Sequence, residues 1–389
     1  MGRSPLILAA LATDAVPGLN FSQVKNLATG STGAFDSILL TATTGDHYVL
    51  RTAASAAAGV ELETELRAIR AIGAELRAKL PFAFTNLVGE TKDPQGGRAL
   101  LFTFVYGNPV DIYSTPATGN LAVSIAGSIA AIHNLPLSVV QDAGLPGYSA
   151  KDIVRSRVAE LDRAAATGLV PSVLLTRWET AFEDVNLFRF QPTVVHGDLS
   201  GENMLELDDS VAGVLSWNNL HIGDPADDLA WIIGAGDEER IYNILLSYQR
   251  ERETADANLR QRATLYSELL MARWLLHGIN RQDDAIIEDA TAELKALATD
   301  LEEGLVAALH ATGFAPELAE TPVAEALDSR ASFESAEVLE SIEVIESVEI
   351  IEIIEEVELT ETDSPEFLSD STRPIDLIDP KAKSDDELF

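Results

Sequence analysis

The sequence predicts an α+β fold of two lobes, a small antiparallel β-sheet lobe carrying one helix and a larger, mostly helical lobe, followed by an acidic tail. Three observations predict it. Short β-rich runs crowd the first hundred residues, helical periodicity takes over after Tyr106-Gly107-Asn108-Pro109, and glutamates recur every third residue from Glu334 to Glu355. The corresponding segments are residues 1–106, 107–315 and 316–389. An apolar content of 46% over 389 residues is ample for a buried core.

The elements follow in order. SPLILAALA is short and has only Arg3 as a preceding charge, so it reads as a docked helix rather than a signal peptide. FSQVKNLA, DSILLTAT and HYVLRTA are strand-like, separated by TGSTGAF, which holds Gly30 and Gly33, and by TTGD. In GVELETELRAIRAIGAELRAKL, Leu62, Leu66, Ile69 and Ile72 keep the spacing of one buried helix face. TNLVGET and ALLFTFV flank KDPQGGR, a hairpin with Pro and Gly where the turn needs them. The result is five strands with a helix after the third. LAVSIAGSIAAIHNLP then reads as a helix stopped near Pro136, and helical patterns recur in KDIVRSRVAELDRAA, in VLLTRWETAFEDV and over residues 238–311.

Charge narrows the function classes. The net charge is −36, of which residues 316–389 carry −19. A glutamate period of three matches neither helix nor strand, so this tail reads as low-complexity and disordered on its own. Recruitment of a partner protein is the alternative to a solvated extension. Nucleic-acid binding lacks a basic footprint. A cationic substrate is compatible with the acidic body, and so is simple solubility. No run reaches the roughly 18–20 apolar residues of a membrane span. The absence of cysteine excludes disulfides and thiolate metal sites, and fits a reducing compartment, the cytoplasm. Six dispersed histidines show no zinc spacing, and no Gly-x-Ser-x-Gly element supports a hydrolase.

The chemistry concentrates in VVHGDLSGENMLELDDSVAGVLSWNNLHIGDPADDLAW. Phosphoryl transfer needs a group that orients the attacking hydroxyl and oxygens that hold magnesium. Asp198 suits the first task, and Asn203, five residues on, suits the second. His196 reads as a support of that loop, His133 as structural, and Trp217 and Trp231 as core.

These ordered motifs make residues 20–310 resemble the aminoglycoside phosphotransferase-like family of small-molecule kinases, which share the protein-kinase fold. HGDLSGENML is similar to its catalytic loop, GDPADDLA to the following segment, IAAIHNLP to a helix end, and FTFVYGNPV to the interlobe hinge. The order of the motifs looks most like the macrolide phosphotransferase branch. The resemblance implies ATP or GTP as phosphate donor, Mg2+, and a small-molecule hydroxyl substrate such as an aminoglycoside or macrolide. It implies nucleotide contacts at Gly30, Gly33, Arg51, Val105 and Gly107. Glu65 would pair with Arg51, with Glu61 and Glu63 as alternative registers. His196, Asp224 and Asp228 would support the catalytic loop.

One position departs from the family. Ser216 stands where the resemblance implies a second, anionic metal ligand, and a neutral hydroxyl is a weaker one. The sequence therefore leaves three readings open: a kinase with a modified metal site, a pseudokinase-like nucleotide- or ligand-binding protein with little turnover, and an interaction protein acting through its tail.

Overall fold

The segment Pro5–Ala15 forms the first helix, α1, as SPLILAALA predicts. In this computed structural model the described residues are 3–27, 34–252, 254 and 256–311, all within one compact unit. Gly30, Gly33 and the tail lie outside them. The α1 residues Leu8, Leu11 and Ala12 are buried against Ile38, Leu40, Leu50, Ala99 and Leu101 of a sheet. Arg3 ties the same helix end to Asp36 and Asp93, each at 2.7 Å. Truncating Leu8 to Ala should cost about 2–5 kcal/mol, the usual range for a buried leucine. Urea denaturation reads that loss directly.

The sheet consists of β1 (Phe21–Asn26), β2 (Phe35–Ala42), β3 (His47–Ala53), β5 (Leu87–Lys92) and β6 (Arg98–Thr103). Its order is β1-β2-β3-β6-β5, antiparallel throughout. These are the five strands the sequence predicts, and α2 (Ala56–Ala71) follows the third. Leu62, Leu66, Ile69 and Ile72 are all buried, as their spacing requires. The predicted long helix is broken at Gly73, after which a single turn, α3 (Ala74–Arg77), follows. The hairpin at KDPQGGR is held by Asp93, whose carboxylate accepts from the Gln95 and Gly97 amides at 2.8 Å.

A second sheet was not foreseen. The two-residue β4 (Ala83–Phe84) runs parallel to β10 (Ser210–Val214), which pairs with β9 (Met204–Leu207), and β9 with β7 (Asn108–Pro109). The Asn108–Pro109 stretch is thereby stitched to the hairpin that follows the HGDLSGENML loop. The hairpin turns through Asp208 and Asp209, both with positive φ, the geometry of a two-residue turn that aspartate tolerates. β8 (Thr193–Val195), which leads into the loop, pairs instead with β11 (His221–Gly223).

The remaining helices are α4 (Asn120–His133), α5 (Ser138–Asp142), α6 (Ala150–Ala166), α7 (Ser172–Glu183), α8 (Ala230–Gly234), α9 (Glu238–Glu251), α10 (Leu259–Arg281) and α11 (Asp284–Glu302). α6 opens with a reciprocal cap in which Ser149 and Asp152 satisfy each other's backbone amides. One continuous apolar core runs from α2 through α4 and α10 to α11. None of the described helices is long and apolar enough to cross a membrane.

Candidate active site

The catalytic-loop motif lies between β8 and β9, and Asp228 holds its start. The Asp228 carboxylate accepts from the His196 amide at 2.7 Å, the Gly197 amide at 2.8 Å and His133 Nε2 at 3.0 Å. Burial pushes this carboxyl up, yet the hydrogen bonds from His133 and the Gly197 amide bring it below the ordinary carboxylate range. His133 is lowered by burial and stays neutral. Its Nε2–H therefore donates to Asp228, while the Tyr248 hydroxyl donates to Nδ1 at 2.7 Å. His133, read from sequence as structural, thus reaches the loop through Asp228. His196 is likewise lowered by burial, and its Nε2–H donates to the Leu215 carbonyl at 2.8 Å.

Asp224 plays a different part. It is fully buried and gripped by Arg262, with Nε–Oδ2 at 2.7 Å and Nη2–Oδ1 at 3.0 Å. The Tyr266 hydroxyl and the Ala226 amide complete its contacts at 2.8 and 2.9 Å. Every lone pair in reach of its neighbours is used, so Asp224 is not available to stand in for a missing metal ligand.

Asp198 faces open space. Loss of hydration and the Asp228 charge push its carboxyl up to about 6, although its side chain still meets solvent. Asn203 pulls the other way. Its amide Nδ2 donates to the Asp198 carbonyl at 2.7 Å and approaches Oδ2 at 3.4 Å, which fixes the loop's two polar side chains side by side. That donation leaves the amide oxygen of Asn203 as the atom for a cation.

Backbone approach explains the loop's shape. The Val110 amide donates to the carbonyls of Gly201 and Met204 at 2.9 Å, and a Cβ at Gly201 would lie 2.2 Å from the Val110 oxygen. At Gly107, where φ is +139°, a Cβ would lie 2.9 Å from the Glu206 carbonyl. The hinge glycine is thus required by packing on β9, whatever else it contacts. Val105 is buried.

Ser216 follows Leu215, whose amide donates to the Asn203 carbonyl at 2.9 Å. Its backbone is left-handed, with φ 64° and ψ 53°. Glycine, asparagine and aspartate visit that region more readily than serine. Trp217 next to it is fully buried and packs on Phe84, His196 and α2. Across the site, Arg51 pairs with Glu65 at 2.8 Å and lies over the Phe35 ring at 4.5 Å. The register is therefore settled among the three glutamates, since Glu63 pairs with Arg98 at 3.2 Å. Arg51 Nε is buried with no hydrogen-bond partner among the described residues.

A cavity of about 390 Å³ opens beside Asp198. Its walls come from the catalytic loop, from Ile153 and Arg157 on α6, from His221 and Asp227, and from Tyr266, Leu270 and Arg273 on α10. Trp231, buried as expected for core, also contributes. None of these wall residues except Asp198 was singled out from sequence as a ligand contact. α6 and α10 are about a hundred residues apart, so no spacing could reveal that they share a cavity. Asp227 was visible beside Asp228 but carried no signal of its own.

Comparison with known proteins identifies the family and the fold. Residues 30–266 match the model of the phosphotransferase enzyme family. A viomycin phosphotransferase of Streptomyces vinaceus is 50% identical over 56 residues, spanning 13% of this chain and only 20% of that protein. The apoenzyme of macrolide 2′-phosphotransferase MphH from Brachybacterium faecium superposes with a TM-score of 0.62 at 21% identity, covering 74% of this chain and 97% of that one. The GDP complex of wild-type aminoglycoside 2′-phosphotransferase-IIIa gives 0.62 at 19% identity, covering 76% and 98%. Such identities speak for the fold alone, whereas the family model spans more than half of the sequence. The chain belongs to the phosphotransferase enzyme family.

Proposed function

We propose that this protein transfers the γ-phosphate of ATP or GTP to a hydroxyl of a small molecule of the antibiotic class, an aminoglycoside or macrolide. The observation that carries the reading is Asp198, a carboxylate braced by Asn203 on one side and open to a 390 Å³ cavity on the other. In this reading residues 1–106 hold the nucleotide, residues 107–315 hold the acceptor, and Gly30, Gly33, Arg51, Val105 and Gly107 contact the donor. A nucleotide supplies the phosphoryl group. Arg51, fixed by Glu65 and with a free Nε, offers its guanidinium to phosphate oxygens. Asp198 orients the acceptor hydroxyl and takes its proton as the oxygen attacks the γ-phosphorus, and the bond to the β–γ bridging oxygen breaks to release the nucleoside diphosphate.

The residues at hand do not make a strong Mg2+ site. No group of three or more His, Asp or Glu that could hold a metal occurs among the described residues. Asn203 offers an amide oxygen and Ser216 a hydroxyl, so the protein brings little charge to a cation that favours carboxylates. This deficit favours the second reading, nucleotide or ligand binding with little turnover. The test is titration with ATP and GTP, with and without Mg2+, followed by turnover on a panel of hydroxyl compounds. Magnesium-independent stabilisation with no turnover on any compound would decide for the second reading. Ser216→Asp should raise either Mg2+ affinity or kcat by tenfold or more, because it supplies an anionic ligand. An unchanged metal titration and rate would remove position 216 from the metal site. The acidic tail, with any partner it recruits, lies outside the described residues.

A further inference from the structure

The charges around the cavity are almost all spent on one another. Asp227 is paired with Arg157, whose guanidinium also lies 4.8 Å above the Tyr266 ring. Arg273 grips both oxygens of Glu160 at 3.0 Å. Asp152 caps α6 through Ser149 and pairs with Arg155 at 2.6 Å. Among the described residues, Asp198 is the one cavity carboxylate without an ion pair, and two guanidinium groups face the same space. The uncommitted polar groups include the hydroxyls of Tyr148 and Ser156, beside His221, whose Nδ1–H donates to the Asn219 carbonyl at 2.7 Å.

We infer that this cavity takes a hydroxyl acceptor carrying at most one positive charge, placed beside Asp198, and discriminates against polycations. The inference rests on the phosphotransferase reading for what the bound molecule is used for, and deepens it by naming the acceptor's charge class. A single amine next to the reacting hydroxyl can pair with Asp198. A second ammonium entering the cavity loses hydration and finds the other lining carboxylates, Asp152 and Asp227, already paired with arginines. The net charge of −36 draws cations toward the surface, but that field is screened over about 8–10 Å and supplies no contact inside. Specificity here comes from the absence of free anions as much as from any attraction.

The experiment is calorimetric titration of the full chain, without nucleotide, using erythromycin, which has one amine, and kanamycin, a polyamine. At physiological salt, erythromycin should bind at least tenfold more tightly. In Arg273→Gln, which leaves Glu160 only its 3.5 Å contact with Arg157, kanamycin affinity should rise at least fivefold while erythromycin changes little. Equal or tighter kanamycin binding by the unaltered chain overturns the inference, as does failure of both compounds to bind. So does indifference of kanamycin to Arg273→Gln. The expected affinities in this titration, together with no turnover in the separate nucleotide assays, would overturn the phosphotransferase reading and leave this one standing.

Discussion

Replacing Asp198 by Ala should lower kcat by about 10²–10⁴, the range expected for losing a general base, while nucleotide affinity and fold remain. Asn203 and the Asp228 brace hold the loop through backbone atoms, so the truncation removes a carboxylate without releasing its support. The same carboxyl predicts the pH profile. With its pKa pushed up to about 6 by lost hydration and the Asp228 charge, kcat/KM should fall below about pH 6 and level off above it. Stability runs the other way. A carboxyl whose folded pKa is raised above its unfolded value favours the fold most when protonated, below about pH 4, and that advantage is lost as pH rises through 6. Asp198→Asn should therefore raise the melting temperature at pH 7 and change it little at pH 4. Turnover in Asp198→Ala within threefold of the unaltered protein would exclude this residue as the base.

Arg262→Met should cost about 3–5 kcal/mol of stability, because it leaves the Asp224 carboxylate buried with its charge partner gone. Burial works against the arginine's charge, but Asp224 and Asp256 hold its pKa above the ordinary value, so the ion pair is the form that folds. Arg262 also donates to the Leu187 carbonyl at 3.1 Å and lies over the Phe190 ring at 4.3 Å. The loss thus unties α10 from the segment before β8 as well as from the turn at Gly223-Asp224-Pro225. Adding Asp224→Asn should recover part of the cost, since the stranded charge disappears with it. Chemical denaturation of the two single variants and the double variant measures this coupling. Strict additivity would mean that the pair does not act as a unit.

What the sequence determined by itself is the order of elements and the frame of the site. The spacing of Leu62, Leu66, Ile69 and Ile72, the turn chemistry of KDPQGGR and the motif residues Asp198, Asn203 and Asp228 are local patterns, and local patterns survive in one dimension. The Arg51–Glu65 pair was legible as one of three registers. Tertiary structure decided the rest. The β4–β10 pairing, the Arg262 grip on Asp224 and the charge-satisfied cavity between α6 and α10 join residues that lie far apart along the chain, where no periodicity links them. The left-handed backbone at Ser216 is of the same kind. The sequence singles out Ser216, but only the folded chain shows that its main chain is left-handed, a conformation serine seldom adopts.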